Sequence, residues 1–177
     1  MHITTDDFIG LSYGGGIIFN LSPMGTGFVA ASQDQSTGTK WGCFQVAING
    51  ATALQLGDGL QNTLDILNAT CNSNNDAVRL CSNLNLNGFS NWYLPCRGEL
   101  VEMYQRIDPG ATGDNENIGE FGESKYWSSV AIAGNFGEHS NAEAIEFDPD
   151  NVLNNTPSAS SFSRNLSSLK VRAIRQF

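Results

Sequence analysis

Basic residues are scarce in this sequence. The 177 residues include 9 Lys and Arg against 18 Asp and Glu, a formal charge of −9 at pH 7. Such a chain repels phosphate backbones and anionic membranes and has no basic stripe for counterion release. We therefore expect no nucleic acid among its partners. Lys170, Arg172 and Arg175 have the alternate spacing of a strand and are predicted to form the exposed face of a last strand.

Long apolar runs are missing as well. No stretch approaches the roughly 18 apolar residues of a membrane span, so we expect no membrane insertion. The segment from Met1 to Asp7 lacks the basic and apolar regions of a signal peptide. Either the chain is a mature product or it leaves its cell by lysis, which predicts a location on a virion or outside the cell, including the cell surface.

Residues with reactive side chains are few. The four cysteines form no CxxC pair and none stands near a histidine in sequence, so a zinc site is not expected. Their state is open at this point, because one or two disulfides and buried free thiols both fit the sequence. The cysteines are Cys43, Cys71, Cys81 and Cys96.

The N-terminal half alternates between strand and helix patterns. Residues 14–32 read as two strands joined by a Pro/Gly turn. Leu60, Leu64 and Leu67 then predict an amphipathic helix whose leucines form the buried stripe. A second helix is predicted over 77–84 and a third over 98–107, where Glu99 occupies the N3 place of a capping box.

The C-terminal half is rich in loops. Strands are predicted at Tyr126–Val130, Ala144–Phe147 and Val171–Phe177, with a long Asn/Ser-rich insert between the last two. Long irregular inserts framed by strands often carry function.

Several short motifs occur in one order along the chain. They are Gly14-Gly15-Gly16-Ile17-Ile18-Phe19, Gln35-Ser36-Thr37-Gly38, Trp41-Gly42-Cys43, Asn87-Gly88-Phe89-Ser90-Asn91-Trp92-Tyr93-Leu94-Pro95, Glu99-Leu100, Tyr126-Trp127-Ser128-Ser129 and Val171-Arg172-Ala173-Ile174-Arg175. Together they resemble the bacterial and phage domain family of unknown function found at the C-terminus of collagen-like adhesins. The resemblance spans residues 13–177 and leaves residues 1–12 as an N-terminal extension.

That family is similar to the C-type-lectin-like superfamily. The resemblance implies an α+β fold with small twisted antiparallel sheets, two to three short helices and long loops. It also implies that Trp41, Trp92 and Trp127 are buried, and that residues 17–19 share a sheet with residues 171–175. In this superfamily the loops before the last strands commonly face the ligand, which here is the polar span from Ala133 to Asn165.

This polar span supplies the predicted ligand-binding residues. Its Asn, Asp and His side chains offer the hydrogen bonds that glycans need, with Phe136 or His139 as a stacking platform. We expect no cofactor. Calcium is the one metal that Asp148, Asp150 and Asn151 would suit, but the absence of EF-hand spacing favours no metal. The predicted site comprises Asn135, Phe136, His139, Asn141, Asp148, Asp150, Asn154, Asn155, Arg164 and Asn165.

Enzymatic activity is not expected. Oxidative chemistry of the sulfatase-modifying type needs a reactive cysteine pair in the C-terminal part of the domain, yet no cysteine follows Cys96. Nucleophilic catalysis needs a positioned base, and the sequence offers only His2 and His139. Asp148 and Asp150 flank a proline, which is typical of turn residues.

The sequence thus favours a binding and display module. Its predicted partner is a cell-surface glycan or protein receptor, and the module would act as a homo-oligomer, with a trimer favoured for avidity. Two alternatives stay open. One is a purely structural virion protein that contacts a neighbouring virion or stalk protein, and the other is a secreted adhesin domain.

Overall fold

The computed structural model describes residues 3–71, 73–108, 117–133, 138–148 and 156–177, and these residues have an α+β architecture. A 3-10 helix covers Thr5–Phe8. Three helices follow, α1 (Gly59–Asn68), α2 (Ala77–Ser82) and α3 (Arg97–Ile107). The strands of the described ranges are β1 (Ser12–Tyr13), β2 (Gly16–Leu21), β3 (Gly27–Ala30), β4 (Ser36–Thr39), β5 (Ser124–Ile132), β6 (Asn141–Phe147), β7 (Ser158–Ser163), β8 (Leu169–Val171) and β9 (Ile174–Gln176).

The first sheet brings the two ends of the chain together in the order β1-β2-β3-β9. The predicted hairpin is present, and its turn is closed by Ser22 N–H donating to Thr26 O at 2.8 Å. Strand β9 pairs with β3 rather than directly with β2. Residues 17–19 therefore share this sheet with Ile174 and Arg175 of the predicted range 171–175, with β3 between them, whereas Val171 lies in the second sheet.

The second sheet has the order β4-β8-β5-β6-β7, and its pairs are antiparallel except β5 with β8. The single last strand predicted over 171–177 is wrong, because the chain leaves this sheet after Val171 and enters the first sheet at Ile174. Two further strands, β4 and β7, were not predicted. Both are edge strands built from Ser, Thr, Gly and Ala, apart from Phe162 in β7, and neither shows an alternation of apolar and polar residues. Pairing with the neighbouring strand therefore decides that they are strands.

The predicted helices are present, but the buried face of α1 differs from the prediction. Leu60 and Leu64 are exposed, whereas Asn62, Thr63 and Ile66 face inward. The polar pair is buried because it satisfies backbone groups. The Asn62 side-chain amide bonds to both backbone groups of Ala53, and the Thr63 hydroxyl bonds to both backbone groups of Leu94.

The apolar stripe of α3 is buried as predicted and packs against β2, β5 and β6. Glu99 accepts a hydrogen bond from Cys96 N–H at 2.7 Å, which confirms the acidic half of the predicted capping box. No helix in the described ranges has the length and apolar character to cross a membrane.

The three tryptophans are buried, as the family resemblance implied. Each indole N–H donates to a backbone carbonyl: Trp41 to Ser128 at 2.7 Å, Trp92 to Phe89 at 2.9 Å and Trp127 to Thr39 at 2.8 Å. The Trp41 bond joins a loop to β5 and the Trp127 bond joins β5 to β4, whereas the Trp92 bond is local to one loop, so Trp41 and Trp127 hold the framework as well as filling it.

The basic cluster near the C-terminus is not an exposed strand face, and that prediction is wrong. Arg172 is buried, donates to the carbonyls of Ala31 and Gly119, and pairs with Asp34 at 2.8 Å. Arg175 is also buried and donates to the carbonyl of Gly14. Guanidinium groups have enough donors to satisfy several loop carbonyls at once, which explains why arginine occupies these interior positions.

The cysteines divide into a disulfide and two thiols. Cys43 bonds to Cys71, and their Cα atoms lie 5.2 Å apart. Cys81 and Cys96 are free and buried. Burial raises the pKa of the Cys96 thiol to about 12 and that of Cys81 still further. Both side chains are therefore protonated thiols at neutral pH and poor nucleophiles.

A buried carboxyl group at the end of α3 predicts a specific pH dependence of stability. Asp108 is buried, and neither of its carboxyl oxygens has a hydrogen-bond partner among the described residues. Burial raises its pKa to about 8, although the nearby Arg172 acts in the opposite direction. The folded state therefore keeps this proton as the pH rises from about 4 to 8, whereas the unfolded chain loses it near pH 4. The contribution of protonated Asp108 to the free energy of unfolding is therefore complete below about pH 4. It is lost as the pH rises through about 8.

We expect Asp108→Asn to remove this loss, because the amide has the shape of the protonated acid and does not titrate. The variant should match the wild type near pH 4.5 and exceed it by about 1–3 kcal/mol at pH 9. Urea unfolding at both pH values measures the difference. Glu123→Gln, at an exposed position, is the control and should show no such trend. An equal effect of Asp108→Asn at both pH values would show that the residue does not titrate in this range.

Candidate binding site at one end of the second sheet

The register of β6 and β7 divides the predicted polar span between two ends of the second sheet. The strands are antiparallel, with Asn141 opposite Ser163 and Glu146 opposite Ser158. His139 and Asn141 therefore lie at the same end as Arg164 and Asn165. Asp148 follows the other end of β6, about 24 Å away at the rise of an extended strand. Its carbonyl accepts a hydrogen bond from the Tyr104 hydroxyl at 2.7 Å.

The remaining predicted residues cannot be placed in this way. Asn135, Phe136, Asp150, Asn154 and Asn155 lie outside the described residues. Asn151 of the calcium hypothesis does so too. Within the described ranges, no group of three or more His, Cys, Asp or Glu side chains is arranged to hold a metal ion.

Arg164 organises the first of these two ends. Its side chain is in the interior, and the residue is only 1% exposed. The guanidinium donates to the carbonyls of Asn141 at 3.0 Å, Cys43 at 3.2 Å and Val46 at 3.0 Å, and it lies over the Trp41 ring. Burial lowers its pKa to about 10, so it stays charged at neutral pH. Arg164 was predicted to contact a ligand, but here its hydrogen bonds support the surrounding loops from within.

Three loops meet around this guanidinium. Trp41 N–H donates to Arg164 O at 3.1 Å, Arg164 N–H donates to Ser140 O at 2.7 Å, and Gln45 N–H donates to His139 O at 2.9 Å. We call residues 40–46, 138–141 and 163–166 together the Arg164 end. The disulfide from Cys43 to Cys71 also ties this end to the segment after α1.

The loop over residues 40–46 presents an aromatic ring to solvent. Phe44 is 37% exposed and stacks on no other aromatic ring of the described chain. It stands between Cys43 and Gln45, whose φ angles of 50° and 60° are in the left-handed region. Such backbone costs about 1–3 kcal/mol per non-glycine residue and persists only when its surroundings hold it. The disulfide and the bonds from Arg164 supply that restraint.

A cavity of about 300 Å³ opens beside Phe44 and the disulfide. Its polar side chains belong to Lys40, Thr70, Ser73 and Asn165, and these form no hydrogen bond or ion pair with another described residue. Their bonding capacity is therefore available to a ligand. The cavity is lined by Lys40, Gly42, Cys43, Phe44, Val46, Thr70, Cys71, Ser73 and Asn165.

A larger groove of about 450 Å³ lies between residues 32–35 and α2. Its one carboxylate, Asp34, is already engaged by Arg172 at 2.8 Å and Lys170 at 3.2 Å, and it accepts a bond from the Tyr126 hydroxyl. The Asp34 carboxylate is thus paired within the fold and is not available to a ligand. This distinguishes the groove from the cavity at the Arg164 end.

Buried acids do not form a second site. Burial raises the pKa of Glu99 to about 7, but its carboxylate lies in the core and accepts hydrogen bonds from Tyr93 and Cys96. Glu143 is also buried and pairs with Arg97. Neither carboxylate has the open access that a substrate would need.

Comparison with known proteins found no matching family model, curated protein or solved structure. The functional interpretation therefore depends on the geometry of the Arg164 end. Of the residues at this end and around its cavity, the sequence predicted His139, Asn141 and Asn165 but not Lys40, Phe44, Thr70 or Ser73. Phe44 follows directly on the Trp41-Gly42-Cys43 motif, whose tryptophan is buried, and nothing in the local sequence indicates that its ring is exposed instead.

Proposed function

We propose that this chain is a non-enzymatic binding module with a C-type-lectin-like fold, displayed on a virion or a cell surface, and that the Arg164 end is its binding face. The observation that carries the proposal is the way three loops are fixed from within by one buried guanidinium. Preorganised loops lose little conformational entropy on binding, which raises affinity without additional contacts.

The distribution of reactive groups supports binding rather than catalysis. The free thiols are buried and protonated, and the carboxyl groups with raised pKa lie in the core. The side-chain groups that line the cavity at the Arg164 end are an amide, hydroxyls, an ammonium and an aromatic ring, and the exposed Glu138 carboxylate lies elsewhere on this end. This set suits recognition of a cell-surface glycan or protein receptor.

The C-type-lectin-like fold is supported by the small sheets, the short helices and the meeting of the terminal segments in one sheet. Each hydrogen bond to a ligand contributes only about 0.5–1.5 kcal/mol net. Useful attachment then needs several copies, so the proposal includes a homo-oligomer, with a trimer favoured, or display on a repetitive scaffold.

The binding face can be tested by changing one end of the second sheet at a time. We expect the triple variant His139→Ala, Asn141→Ala, Asn165→Ala to bind intact cells or a glycan array about 10 to 100 times more weakly than the wild type, since three polar contacts are lost. Its melting temperature should change little, because Asn165 is exposed, His139 and Asn141 are half-buried, and none of the three side chains bonds to another described residue. Fluorescently labelled protein, with and without EDTA, gives both affinity and calcium dependence.

The matched control is Asn154→Ala with Asn155→Ala. These residues belong to the connection from β6 to β7, whose described flanks, Phe147 and Ser158, lie at the opposite end. The control should bind like the wild type, and EDTA should have no effect. Loss of binding in the control with retention in the triple variant would move the face to the other end of the sheet.

A further inference from the structure

The cavity beside Phe44 combines three properties that together specify a ligand class. It has an exposed aromatic ring on a restrained backbone, hydroxyl and amide groups that have no partner among the described residues, and an ammonium group. We infer that it is a subsite for an acidic monosaccharide unit, that is, a sugar ring carrying a carboxylate. This inference rests on the proposed binding function and assigns its ligand chemistry.

The aromatic ring sets the shape of the ligand. Phe44 is held between two left-handed residues, and the flanking carbonyls of Cys43 and Val46 both accept bonds from Arg164. Exposing a large apolar side chain forgoes the free energy of burying it, and the backbone around it is strained. A pyranose ring has one face of C–H groups, which can cover Phe44 and recover that burial.

The polar groups fit the edge of such a ring. Thr70 and Ser73 offer hydroxyls that both donate and accept, and Asn165 offers an amide with both functions. Sugar hydroxyls need this mixture, because each one is a donor and an acceptor. A cavity of about 300 Å³ is at the small end of ligand sites, which suits one sugar unit of a longer chain.

Lys40 adds the preference for negative charge. It is the one charged residue among the described lining residues, it is exposed, and it has no carboxylate partner in the described chain. Its backbone is fixed, since Lys40 O accepts a bond from Ala77 N–H at 2.9 Å. On a protein with a net charge of −9, an unpaired ammonium at a cavity is a local positive point that favours a carboxylate.

The test uses free sugars and the intact protein. N-acetylneuraminic acid and galacturonic acid represent acidic sugars typical of animal and of plant or microbial glycans, and galactose is the neutral reference. In ¹H–¹⁵N spectra we expect at least one acidic sugar to shift resonances of residues 40–46, 71 and 165, with a dissociation constant of about 1 mM or weaker for a single unit. Galactose should bind at least fivefold more weakly.

Two variants separate the contributions of ring and charge. Phe44→Ala should weaken binding of the acidic sugar at least tenfold, whereas Phe8→Ala, at another exposed phenylalanine (41%) in the 3-10 helix and not in the cavity lining, should not. Lys40→Gln should remove the preference for the acidic sugar over galactose. Lys125→Gln changes the net charge equally outside the cavity and should keep that preference.

Failure of this inference is distinguishable from failure of the proposed function. If the wild type binds cells or arrayed glycans through the Arg164 end and Phe44→Ala and Lys40→Gln leave that binding unchanged, the acidic-sugar subsite is overturned and the binding face stands. If the triple variant at His139, Asn141 and Asn165 has no effect on cell or array binding, the proposed face itself fails. Shifts that map to residues 32–35 and 83–86 would place the sugar in the larger groove and also overturn the inference.

Discussion

Deletion of residues 171–177 is expected to abolish the cooperative fold. The deletion removes β9 and the end of β8, and with them the buried side chains of Val171, Ile174 and two arginines. It also exposes the edge of β3 and leaves the carbonyls of Ala31 and Gly119 without the donors of Arg172. Unpaired strand edges and orphaned buried carbonyls add to the lost apolar burial.

The measurement is far-UV circular dichroism during heating, with one-dimensional proton NMR for side-chain order. We expect no cooperative transition and poor chemical-shift dispersion. Removal of Phe177 alone is the graded control. It loses a backbone pairing with Gly27, a ring contact with Tyr13 and the packing of one half-buried ring against the core, so this shorter protein should be less stable but still unfold cooperatively. A truncated chain with an unchanged melting temperature would refute the account of the C-terminal strands.

Replacement of Arg164 by Met should lower the free energy of unfolding by about 3–5 kcal/mol. The methionine fills part of the space but leaves the carbonyls of Asn141, Cys43 and Val46 without their donor. Each buried unsatisfied acceptor costs about 1–3 kcal/mol, and some of this is relieved by water. Arg164→Lys should be intermediate, because one ammonium cannot reproduce the planar guanidinium fork.

Urea unfolding of Arg164→Met and of Arg106→Met tests this prediction. Arg106 makes ion pairs with Asp6 and Glu102 at the surface, and such pairs are worth about 0–1 kcal/mol. Both variants remove a guanidinium group. The difference between their losses in free energy of unfolding therefore measures how much more the buried group contributes than the surface one. A loss below about 1 kcal/mol in Arg164→Met would mean that water replaces its hydrogen bonds and that the loops are not held in the way described.

The regular elements of this protein were predictable where periodicity and burial agree. The stripe of α3 and the turn between β2 and β3 have the expected residues at the expected spacing, and the structure contains both. The stripe of α1 misled because Asn62 and Thr63 are buried to satisfy backbone groups, which only the tertiary structure supplies. The strands β4 and β7 were missed because β4 has no large apolar residue and β7 has only Phe162, so neither shows the apolar alternation of a strand.

The site was harder to predict than the fold, because its members meet through long-range contacts. Arg164 and Cys43 are far apart in sequence, and nothing near either residue indicates that a carbonyl of one segment faces the guanidinium of the other. The positions of the buried arginines near the C-terminus were likewise not predictable from local sequence. Their alternate spacing is typical of an exposed strand face, but bonds to loop carbonyls decided their position. The polar span itself was predicted, whereas its division between two ends needed the register of β6 and β7.

The central claim is that the Arg164 end is the binding face, and hydrogen–deuterium exchange on the bound protein tests it most directly. The protein alone is compared with the protein bound to intact target cells or to their purified surface glycan, with peptides analysed by mass spectrometry. If the Arg164 end is the binding face, exchange should slow in residues 40–46, 138–141 and 163–166 and should not change in 32–35 or 156–160. Protection confined to residues 156–160, or to the groove at 32–35 and 83–86, would contradict this claim.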